Sequence, residues 1–584
     1  MMKMKRTRLA AFLTACTMLS GVTALPASAA DAPDYADALK LALYFYDANE
    51  CGTHVDENPL TWRGNCHTYD SEAALSGATG LGSSEIQVIK AQNGGKDTVD
   101  VSGGYHDAGD HIKSAMTMGF TGTSLAWSYY SYPDVFEQTG TKDHLFDILH
   151  TIDDYLMNVT FLNEDGSVSS FCYLVGDQAD HDVTWESPEK QTYERKTYWA
   201  TASHPSADAA GEMAACLASS SMALREVDAA YADQCMQYAD ALYAFAKAHP
   251  EGAYDGIGSF YGSGSQQDDI AWADLWIHIA KGTEKEYTPI SVSGDEYKTP
   301  AGTEYDGWIY SWDKVWGGYT ALLAELGDAS HLQKAQQNAN LISNPQAGKY
   351  YFPKGGTEWG SSRYNCAWQM YALKYAKASG QTQYNDWAKT QMDYLLGQNP
   401  SGRSYLLGYT DTFPMNVHHR AANPNKNGME HILYGALVGG ETDQNGSYTD
   451  VWDSYSCTEP ALDYEGCLVL ALSGLCDANS AGDGSGADQT IAAAEEIDET
   501  HQFGTWYGST PQQPDKPETP TEVKGDVTNT GVFEVTDIVA LQKWLLGVPG
   551  TSLANWKAGD LYEDGVLDVF DLALMKRMLT ETKS

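Results

Sequence analysis

The stretch Gly103-Gly104-Tyr105-His106-Asp107-Ala108-Gly109-Asp110-His111 places two carboxylates on a turn rich in glycine. At such a turn the backbone can approach a ligand closely, and local geometry holds the side chains. Much later the chain reads Tyr448-Thr449-Asp450 and runs on to Glu459, a separate acidic position. Hydrolysis of a bond between two sugars needs one carboxyl to protonate the leaving oxygen and another to activate water. The two stretches together predict that chemistry.

The composition describes an acidic chain with many aromatic residues. Its 584 residues exceed what one small core requires, so we expect one large domain and at least one small one. The 36 Lys and Arg against 79 Asp and Glu give a net charge of −43, which repels phosphate backbones and anionic membranes and argues against a nucleic-acid partner. The 37 Tyr and 16 Trp supply flat rings of the kind that stack on pyranose faces.

Residues 1–30 have the pattern of an export signal. Basic residues precede an apolar run over residues 9–25, and Ala27-Ser28-Ala29 offers a small-residue cleavage site. An alternative is the sequence Leu13-Thr14-Ala15-Cys16, which resembles a lipoprotein processing site and would leave a lipidated Cys16. No other apolar run is long enough to span a bilayer, so we expect a secreted, extracellular protein.

The chain contains 10 cysteines. Without Cys16 an odd number remains, which leaves at least one thiol unpaired or bound to a metal. Cys216 and Cys235 lie in alanine-rich helical patterns and are interpreted as inert core residues.

Apolar residues at i, i+3 and i+4 predict a series of amphipathic helices. Examples are residues 209–224, 229–248, 314–326, 367–378 and 386–396. Because period-2 patterns are few, residues 31–478 are predicted to form one all-α domain of helical hairpins rather than a βα barrel. Residues 479–524 lose the pattern and carry Pro511, Pro514, Pro517 and Pro520, which indicates a stiff linker.

The last segment, residues 525–584, contains a duplicated loop. Residues 526–537 and 560–571 each form a twelve-residue stretch with Gly at the sixth position and Asp at the twelfth. Oxygen ligands at alternating loop positions, with a glycine for the sharp turn, are typical of calcium loops. An apolar helix is predicted after each loop, over residues 538–546 and 572–579.

This duplicated module resembles a dockerin, the domain that attaches an enzyme to a cohesin on a scaffold protein. The resemblance implies calcium ligands from Asp526, Thr528, Thr530, Asp537, Asp560, Asp564, Asp568 and Asp571, and attachment to a cell-surface cellulosome. Thr528 and Thr530 stand where Asn or Asp is usual, so the first loop offers fewer strong calcium ligands than the second. Tyr562 replaces the usual Asn of the second loop.

The large domain resembles glycoside hydrolase family 9. The resemblance is carried by Asp107-Ala108-Gly109-Asp110, by Val417-His418-His419-Arg420, and by Tyr448 with Asp450 and Glu459, in family order. It implies an (α/α)6 toroid that hydrolyses internal β-1,4-glucosidic bonds of cellulose with inversion. Leu407, Thr410 and Thr412 depart from the histidine signature, and Glu465-Gly466 departs from the sequence usual after the acid.

Site roles follow from the same resemblance. Asp110 resembles the general base, Asp107 its partner in holding the water, and Glu459 the general acid. Asp450 is the aspartate of the same signature as Glu459, and His418 and Arg420 resemble groups near the scissile bond. Further residues that resemble cleft positions binding successive glucose units are His181, Trp185, Trp308, Trp359, Arg363 and Tyr464.

Two metal sites are implied in the large domain. Gly264, Ser265, Asp268, Asp269 and Asp313 resemble a calcium site, with the oxygen ligands that a hard cation prefers. Cys51, Cys66, His67 and His106 resemble a structural zinc site, and two thiolates with two imidazoles complete a tetrahedral shell. The alternative is a Cys51–Cys66 disulfide, natural outside the cell. His106 favours zinc, because Tyr is commoner at this position in the family.

Three functions from different classes are compatible with these patterns. The first is a scaffold-attached endo-β-1,4-glucanase, and the second is a glucan-binding protein without catalysis, which the intact Asp107, Asp110 and Glu459 disfavour. The third is a toroidal hydrolase acting on xylan or another β-glucan. The choice between endo and processive action stays open at this stage.

Overall fold

The computed structural model describes residues 33–183, 185–252, 258–290, 309–342, 350–352, 359–479, 482–506, 523–528, 532–546, 548, 553, 555–562, 567 and 569–581. The predicted signal peptide at residues 1–30 and the prolines at 511–520 lie outside these ranges. Among the described residues, no helix combines the length and apolar character needed to cross a membrane.

Helices dominate the large domain. Its α-helices are α1 Tyr35–Ala42, α2 Tyr44–Asn49, α3 Ser83–Gln92, α4 Ala115–Ser131, α5 Pro133–Thr139, α6 Lys142–Asn158, α7 Gln178–Val183, α8 Ala207–Leu224, α9 Ala229–Ala248, α10 Gly258–Tyr261, α11 Gln267–Ala280, α12 Trp316–Glu325, α13 Ala329–Ile342, α14 Ser361–Ser379, α15 Gln383–Leu395, α16 Tyr455–Thr458, α17 Leu462–Asn479 and α18 Ser485–Ala493. Short 3-10 helices cover Val55–Glu57, Thr68–Glu72, Leu75–Gly77 and Pro188–Lys190.

Six of these helices form a closed ring. In order around it, α4 packs on α8, α8 on α11, α11 on α12, α12 on α14, α14 on α17, and α17 returns to α4. A second layer lies outside, where α6 packs on α4, α9 on α8, α13 on α12, α15 on α14, and α1 on α17. The ring helices bury residues on all faces, whereas outer helices such as α6 and α13 bury one face. The predicted all-α toroid is confirmed.

Local sequence signals explain where several helices begin and end. Ser114 caps α4 by accepting from the Thr117 amide, and Asp228 caps α9 by accepting from the Tyr231 amide. Gly380 ends α14 in the left-handed conformation, at φ 74°. The helix predicted over 229–248 has the observed bounds, whereas α14 begins six residues before the predicted 367 because Ser361 and Ser362 bond to backbone carbonyls at 438–441.

Two small antiparallel sheets accompany the helices. Strands β1 Ala73–Ala74 and β2 Thr98–Val99 form one pair. In the other sheet, β5 Val168–Val175 pairs with β3 Lys113–Ser114, β4 Thr160–Leu162 and β6 Thr197–Thr201. This second sheet matters for the site, because β3 follows the 103–111 turn directly and leads into α4.

The segment predicted as a linker, residues 479–524, is folded over part of its length. Helix α18 packs on α1, where Lys40 and Asp488 form an ion pair of 2.7 Å. Beyond it, Phe503 stacks on His144 with ring centroids 3.9 Å apart, and Trp506 stacks on His150 at 4.0 Å. We call residues 482–506 the C-terminal strap. The apolar periodicity of this segment is weak, and its aromatic side chains pack on another helix. The sequence therefore did not predict that the segment is folded.

The C-terminal module has its own small core. Helices α19 Val535–Leu545 and α20 Val569–Glu581 pack together, with a 3-10 helix at Lys557–Gly559. Among the described residues, this core contains the buried side chains of Val527, Ile538, Leu541, Leu567 and Met575. Both helices begin earlier than predicted. Thr530, Asp564 and Asp568 lie outside the described residues.

Candidate active site

The 103–111 turn is held between α2 and the start of α4. The Asn49 amide donates to the carbonyls of His106 and Ala108, at 3.0 and 3.1 Å. The Asp107 amide donates to the Ile112 carbonyl at 2.8 Å, which closes the turn. The two aspartates are therefore fixed by backbone contacts on both sides.

Two distant segments join this turn through backbone hydrogen bonds. The Arg420 amide donates to Gly109, the Leu462 amide donates to Asp107, and the His418 amide donates to Thr458. At Gly109 a Cβ atom would lie 1.7 Å from the His418 carbonyl oxygen, so only glycine permits this approach. The segments that carry Asp110, His418 and Glu459 thus form one surface beside the N-terminal ends of α4 and α17.

Asp110 is the most acidic carboxyl of this surface. One of its oxygens accepts from the Ile112 amide at 3.1 Å, and the other lies 2.6 Å from His181 Nδ1. Burial raises the pKa of Asp110, but the hydrogen bond and charge of His181, together with the charge of Arg420, lower it further, to well below its usual range. The Asp110 hydrogen bond in turn raises the pKa of His181. The two groups form a buried ion pair.

Asp107 has the opposite character. Burial, with the charge of Asp463, raises the pKa of Asp107 to about 7. Tyr261 donates a hydrogen bond of 2.8 Å to one carboxyl oxygen. Hydrogen bonds from the Thr117 and Tyr261 side chains lower the pKa of Asp107, against the larger effect of burial.

Glu459 is a carboxyl that keeps its proton at neutral pH. Burial and the charge of Asp110 raise its pKa to about 8, although a hydrogen bond from Trp359 Nε1 of 3.0 Å opposes the shift. Asp107, Asp110 and Glu459 are 7%, 7% and 8% exposed, so each is accessible only from the cleft. One ionised and one protonated carboxyl in the same site are the pair that general base and general acid catalysis require.

Aromatic rings flank the carboxyls. Trp359 and Tyr455 are 38% and 45% exposed and lie 4.7 Å apart between centroids. On another side, Trp185 meets His418 and Trp452 edge to face, at 4.8 and 4.9 Å. Exposed rings beside an acid and a base are suited to stacking on sugar faces.

Several predicted residues lie where they support the site. Arg420 donates to the carbonyls of Asp180 and His181, so it holds the end of α7 beside Asp110. His418 bonds through Nδ1 to the Trp452 carbonyl at 2.6 Å. Asp450 accepts from the amides of Met415 and Asn416, at 3.1 and 2.9 Å, and thereby shapes the segment that leads to His418.

Two predicted sugar-binding residues face protein instead. Arg363 forms an ion pair of 2.5 Å with Asp463, and its guanidinium lies over the rings of Tyr364 and Tyr464. Tyr464 is 2% exposed. Both residues follow the periodicity of ring helices α14 and α17, which turns them inward. Trp308, also predicted for the cleft, lies outside the described residues.

The predicted calcium ligands divide into two groups. Asp268 accepts from the Val315 amide at 3.0 Å, and the charge of Asp313 helps to raise its pKa, after the larger effect of burial. Asp269 instead contacts Glu212 on α8, because Gly211 lets the two helices approach closely there. Gly264 and Ser265 lie in the loop before α11. The charge of Asp268 also raises the pKa of Asp269, and the predicted calcium site stays a prediction.

Cys51, Cys66, His67 and His106 do converge. All four are buried, and their ligand atoms lie within 4.8 Å of one another. His67 Nδ1 is 3.7 Å from Cys51 Sγ and 3.1 Å from His106 Nε2. A tetrahedral zinc with ordinary bond lengths requires edges of about 3.3–3.8 Å between ligand atoms, and the cluster can reach them with small side-chain shifts, so the residues fit zinc. Both cysteines are free thiols in this structure.

Sequence reasoning missed the partners that tune these groups. Tyr261, Asp463, Gln191 and Tyr455 were not predicted, since each is distant along the chain from the group that it contacts. Only the proximity of Asp463 and Tyr455 to Glu459 in sequence was an available signal.

A closed helical ring with paired carboxyls and flanking aromatic rings defines the class as glycoside hydrolase. The chain belongs to glycosyl hydrolase family 9, whose family model matches residues 35–472. A dockerin type I domain model matches residues 524–580.

Individual relatives agree with this assignment. Endoglucanase B of Cellulomonas fimi is 30% identical over 574 residues, which cover 94% of this chain but only 50% of that protein. The catalytic domain of Clostridium thermocellum CelT has a TM-score of 0.69 and 35% identity, covering 76% of this chain and 97% of that chain. Endoglucanase CelQ from Clostridium thermocellum, complexed with cellobiose and cellotriose, has a TM-score of 0.62 and 29% identity, covering 77% and 71% of the two chains.

Proposed function

We propose that the protein is a secreted, cellulosomal endo-β-1,4-glucanase that hydrolyses internal bonds of cellulose with inversion. The observation that carries the proposal is the opposite tuning of Asp110 and Glu459 within one aromatic-lined cleft. The relatives named as endoglucanases, and the cellobiose and cellotriose bound to one of them, support a β-1,4-glucan as the substrate.

In this proposal Glu459 protonates the leaving glycosidic oxygen while Asp110 takes a proton from the attacking water. Asp107, which lies on the same turn as Asp110, helps to hold that water. Because the water attacks from the face opposite the leaving group, the anomeric centre inverts, which requires roughly 6.5–9.5 Å between acid and base. The Trp359 and Tyr455 rings stack on sugar units next to the scissile bond.

The test combines variants with product stereochemistry. Asp110→Ala and Glu459→Gln should each lower turnover of an unactivated cello-oligosaccharide by about 10²-fold or more, with the melting temperature retained. Asp165→Asn, an exposed carboxylate in a surface turn, serves as the control. Proton NMR of early products should show the α-anomer first. Near-normal turnover in either variant, or the β-anomer first, would refute the mechanism.

The C-terminal module is proposed to bind calcium and a cohesin. In support, Asp571 accepts from the Tyr562 amide at 2.9 Å, and Asp537 accepts from Thr528, so the last carboxylate of each loop folds back to its beginning. Titration calorimetry of the whole chain against cohesins should show calcium-dependent binding. Asp560→Ala or Asp571→Ala should weaken it more than Asp526→Ala. Tight binding in chelator would contradict the calcium requirement.

We further propose that Cys51, Cys66, His67 and His106 hold a structural zinc ion. Burial lowers the pKa values of both histidines, so their rings are neutral and able to ligate. The hydrogen bond from Cys51, with the charge of Arg63, lowers the pKa of Cys66 to about 7, which favours a thiolate. Metal analysis of protein purified without added zinc tests this assignment. A mapped Cys51–Cys66 disulfide would reject it.

A further inference from the structure

Gln191 lies between the Cys/His cluster and the cleft. The side chain is 4% exposed and sits just after the 3-10 helix Pro188–Lys190. Its Oε1 is 2.5 Å from His67 Nε2 and 2.6 Å from His111 Nδ1. Its Nε2 donates to Asp180 at 2.6 Å and also to Tyr193. Every polar atom of this amide is therefore used.

A metal ion bound to the cluster would fix the positions of the oxygen and the nitrogen of the Gln191 side-chain amide. His67 presents Nδ1 to Cys51 and His106, so its Nε2 must carry the proton and donate to Gln191 Oε1. Histidine ligands of metals regularly donate their second N–H to an oxygen acceptor in this way. His111 Nδ1 donates to the same oxygen. With Oε1 committed to two donors, the NH2 group can only face Asp180.

Asp180 connects the Gln191 amide to the residues around Asp110. Its second oxygen lies 3.3 Å from Arg195 Nε, and Arg195 also donates to the His111 carbonyl at 2.7 Å. The backbone carbonyls of Asp180 and His181 accept from Arg420. His181, the next residue, holds Asp110. Hydrogen bonds thus link a metal ligand to Asp180, the main chain links Asp180 to His181, and His181 contacts the carboxylate proposed as the base.

We infer that Gln191 is a positioning residue that ties the metal cluster to Asp180 and His181, and through them fixes Asp110. This inference rests on the proposed function. Gln191 does not face the substrate, so it acts only through the groups that it holds. The zinc ion, beyond stabilising the fold, thereby contributes to the alignment of the catalytic base.

Two substitutions at Gln191 test separately the contacts of its Oε1 with His67 and His111 and the contact of its Nε2 with Asp180. In Gln191→Glu, a carboxylate still accepts from His67 and His111, so the metal is retained, but it cannot donate to Asp180. We expect kcat to fall about tenfold or more and KM to change little. The acidic limb of the rate profile should move to higher pH, because a displaced His181 stabilises the ionised form of Asp110 less. In Gln191→Leu both sides are lost, and zinc affinity should also fall by about 10–100-fold.

Gln391→Leu is the matched control. Gln391 is equally buried and bonds to the Tyr351 amide and to Asn365, away from the cluster. It should lower the melting temperature without changing zinc affinity or the pH profile. Wild-type kcat and pH profile in Gln191→Glu, or wild-type zinc affinity in Gln191→Leu, would overturn the inference.

A separate readout distinguishes failure of the inference from failure of the proposed function. If the wild-type protein does not hydrolyse β-glucans, the proposed function is wrong, and zinc affinity together with melting between pH 4 and 8 still tests Gln191. In that case Gln191→Glu must keep zinc yet lose the acid-side stabilisation of the Asp110–His181 pair. Retention of that stabilisation would overturn the inference independently of activity.

Discussion

Burial and a few neighbours give the carboxyls of the cleft their different acidities. Burial raises the pKa of Glu459, whereas His181 and Arg420 lower that of Asp110, and Trp359 limits how far the Glu459 pKa rises. The contributions of His181 and Trp359 each come from one hydrogen bond, so each can be removed by one substitution. The pH dependence of the reaction is therefore the most direct measure of residue-level contacts.

Trp359→Phe should move the alkaline limb of kcat/KM to higher pH. The general acid must be protonated, so activity is expected to fall as the pH rises through about 8, the pKa of Glu459. The Trp359 N–H favours the ionised form, and removing it raises the pKa further while keeping an aromatic face. Rate profiles from pH 5 to 10 would show the shift. An alkaline limb at the same pH as in the wild type, or at a lower pH, would contradict this account.

His181→Gln should alter how stability depends on pH. Asp110 has a lowered pKa in the folded state, so its contribution is present above 3.8 and is lost as the pH falls through the folded value. His181 has a raised pKa, so its contribution is present below 6.5 and is lost as the pH rises through the folded value. The melting difference between wild type and variant should be largest from about pH 4 to 6.5. A constant difference across this range would exclude the ion pair as its source.

The carboxyls were predictable from sequence, but their partners were not. Asp107 and Asp110 are identified by a local turn, and Glu459 by its distance from Asp450 along the chain. Tyr261 and Gln191 reach the site through the packing of separate elements, which no local pattern records. The side chains of Arg363 and Tyr464 are largely buried on ring helices α14 and α17, and their role in binding sugar stays a prediction.

At the scale of elements, the site depends on how closely loops approach each other. The 103–111 turn touches the 417–420 segment through Gly109, and α17 begins beside Asp107. The apolar periodicity predicted α8, α12 and part of α14 in the ring and α9 and α15 outside it, but not α4, α11 or α17. Ring helices are buried on all faces, so their apolar residues have a weak period. The periodicity failed for the C-terminal strap, whose anchors are isolated aromatic side chains.

Gly109→Ala should abolish activity with a smaller effect on folding. The added methyl group meets the His418 carbonyl, so the two loops must separate. A displacement of about 1 Å between base and acid can cost about 10²-fold in rate. Gly77→Ala is the control, because no atom lies within 4 Å of its Cβ position. Turnover and thermal melting of both variants would be compared, and wild-type activity in Gly109→Ala would contradict the prediction.

The C-terminal strap should stabilise the catalytic domain. Asp147 accepts from the Gly504 amide and from Trp506 Nε1, in addition to the ring stacking. Phe503→Ala is expected to lower the free energy of unfolding by about 1–3 kcal/mol, since the ring is only partly buried. A chain ending at residue 506 should unfold at higher denaturant concentration than one ending at 478. Equal midpoints would show that the strap contributes nothing.

At the scale of the whole molecule, the two domains differ in how they are stabilised. The large domain has an extensive core, whereas the described residues of the C-terminal module bury only a handful of apolar side chains. A core of that size does not suffice alone, so the module should depend on bound calcium.

Removal of calcium should therefore unfold one domain and spare the other. After dialysis into calcium-free buffer that contains zinc, we expect the low-temperature transition of the C-terminal module to disappear from the calorimetric trace of the full chain. Hydrolysis of soluble β-glucan should be retained, because the contacts described for the carboxyls of the cleft come from the large domain. An unchanged trace without calcium would show that calcium is not needed for its folding.

The closed ring has a consequence for the order of events during synthesis. Helix α17 completes the circle by packing on α4, and only then does Glu459 face Asp107 and Asp110. Contacts between segments so far apart in sequence form late and slowly. A chain interrupted before residue 459 lacks one of the two reacting groups, and a chain that ends before α17 lacks the helix that holds Glu459 in place, so neither product should be active. Hydrolysis begins only when the circle has closed.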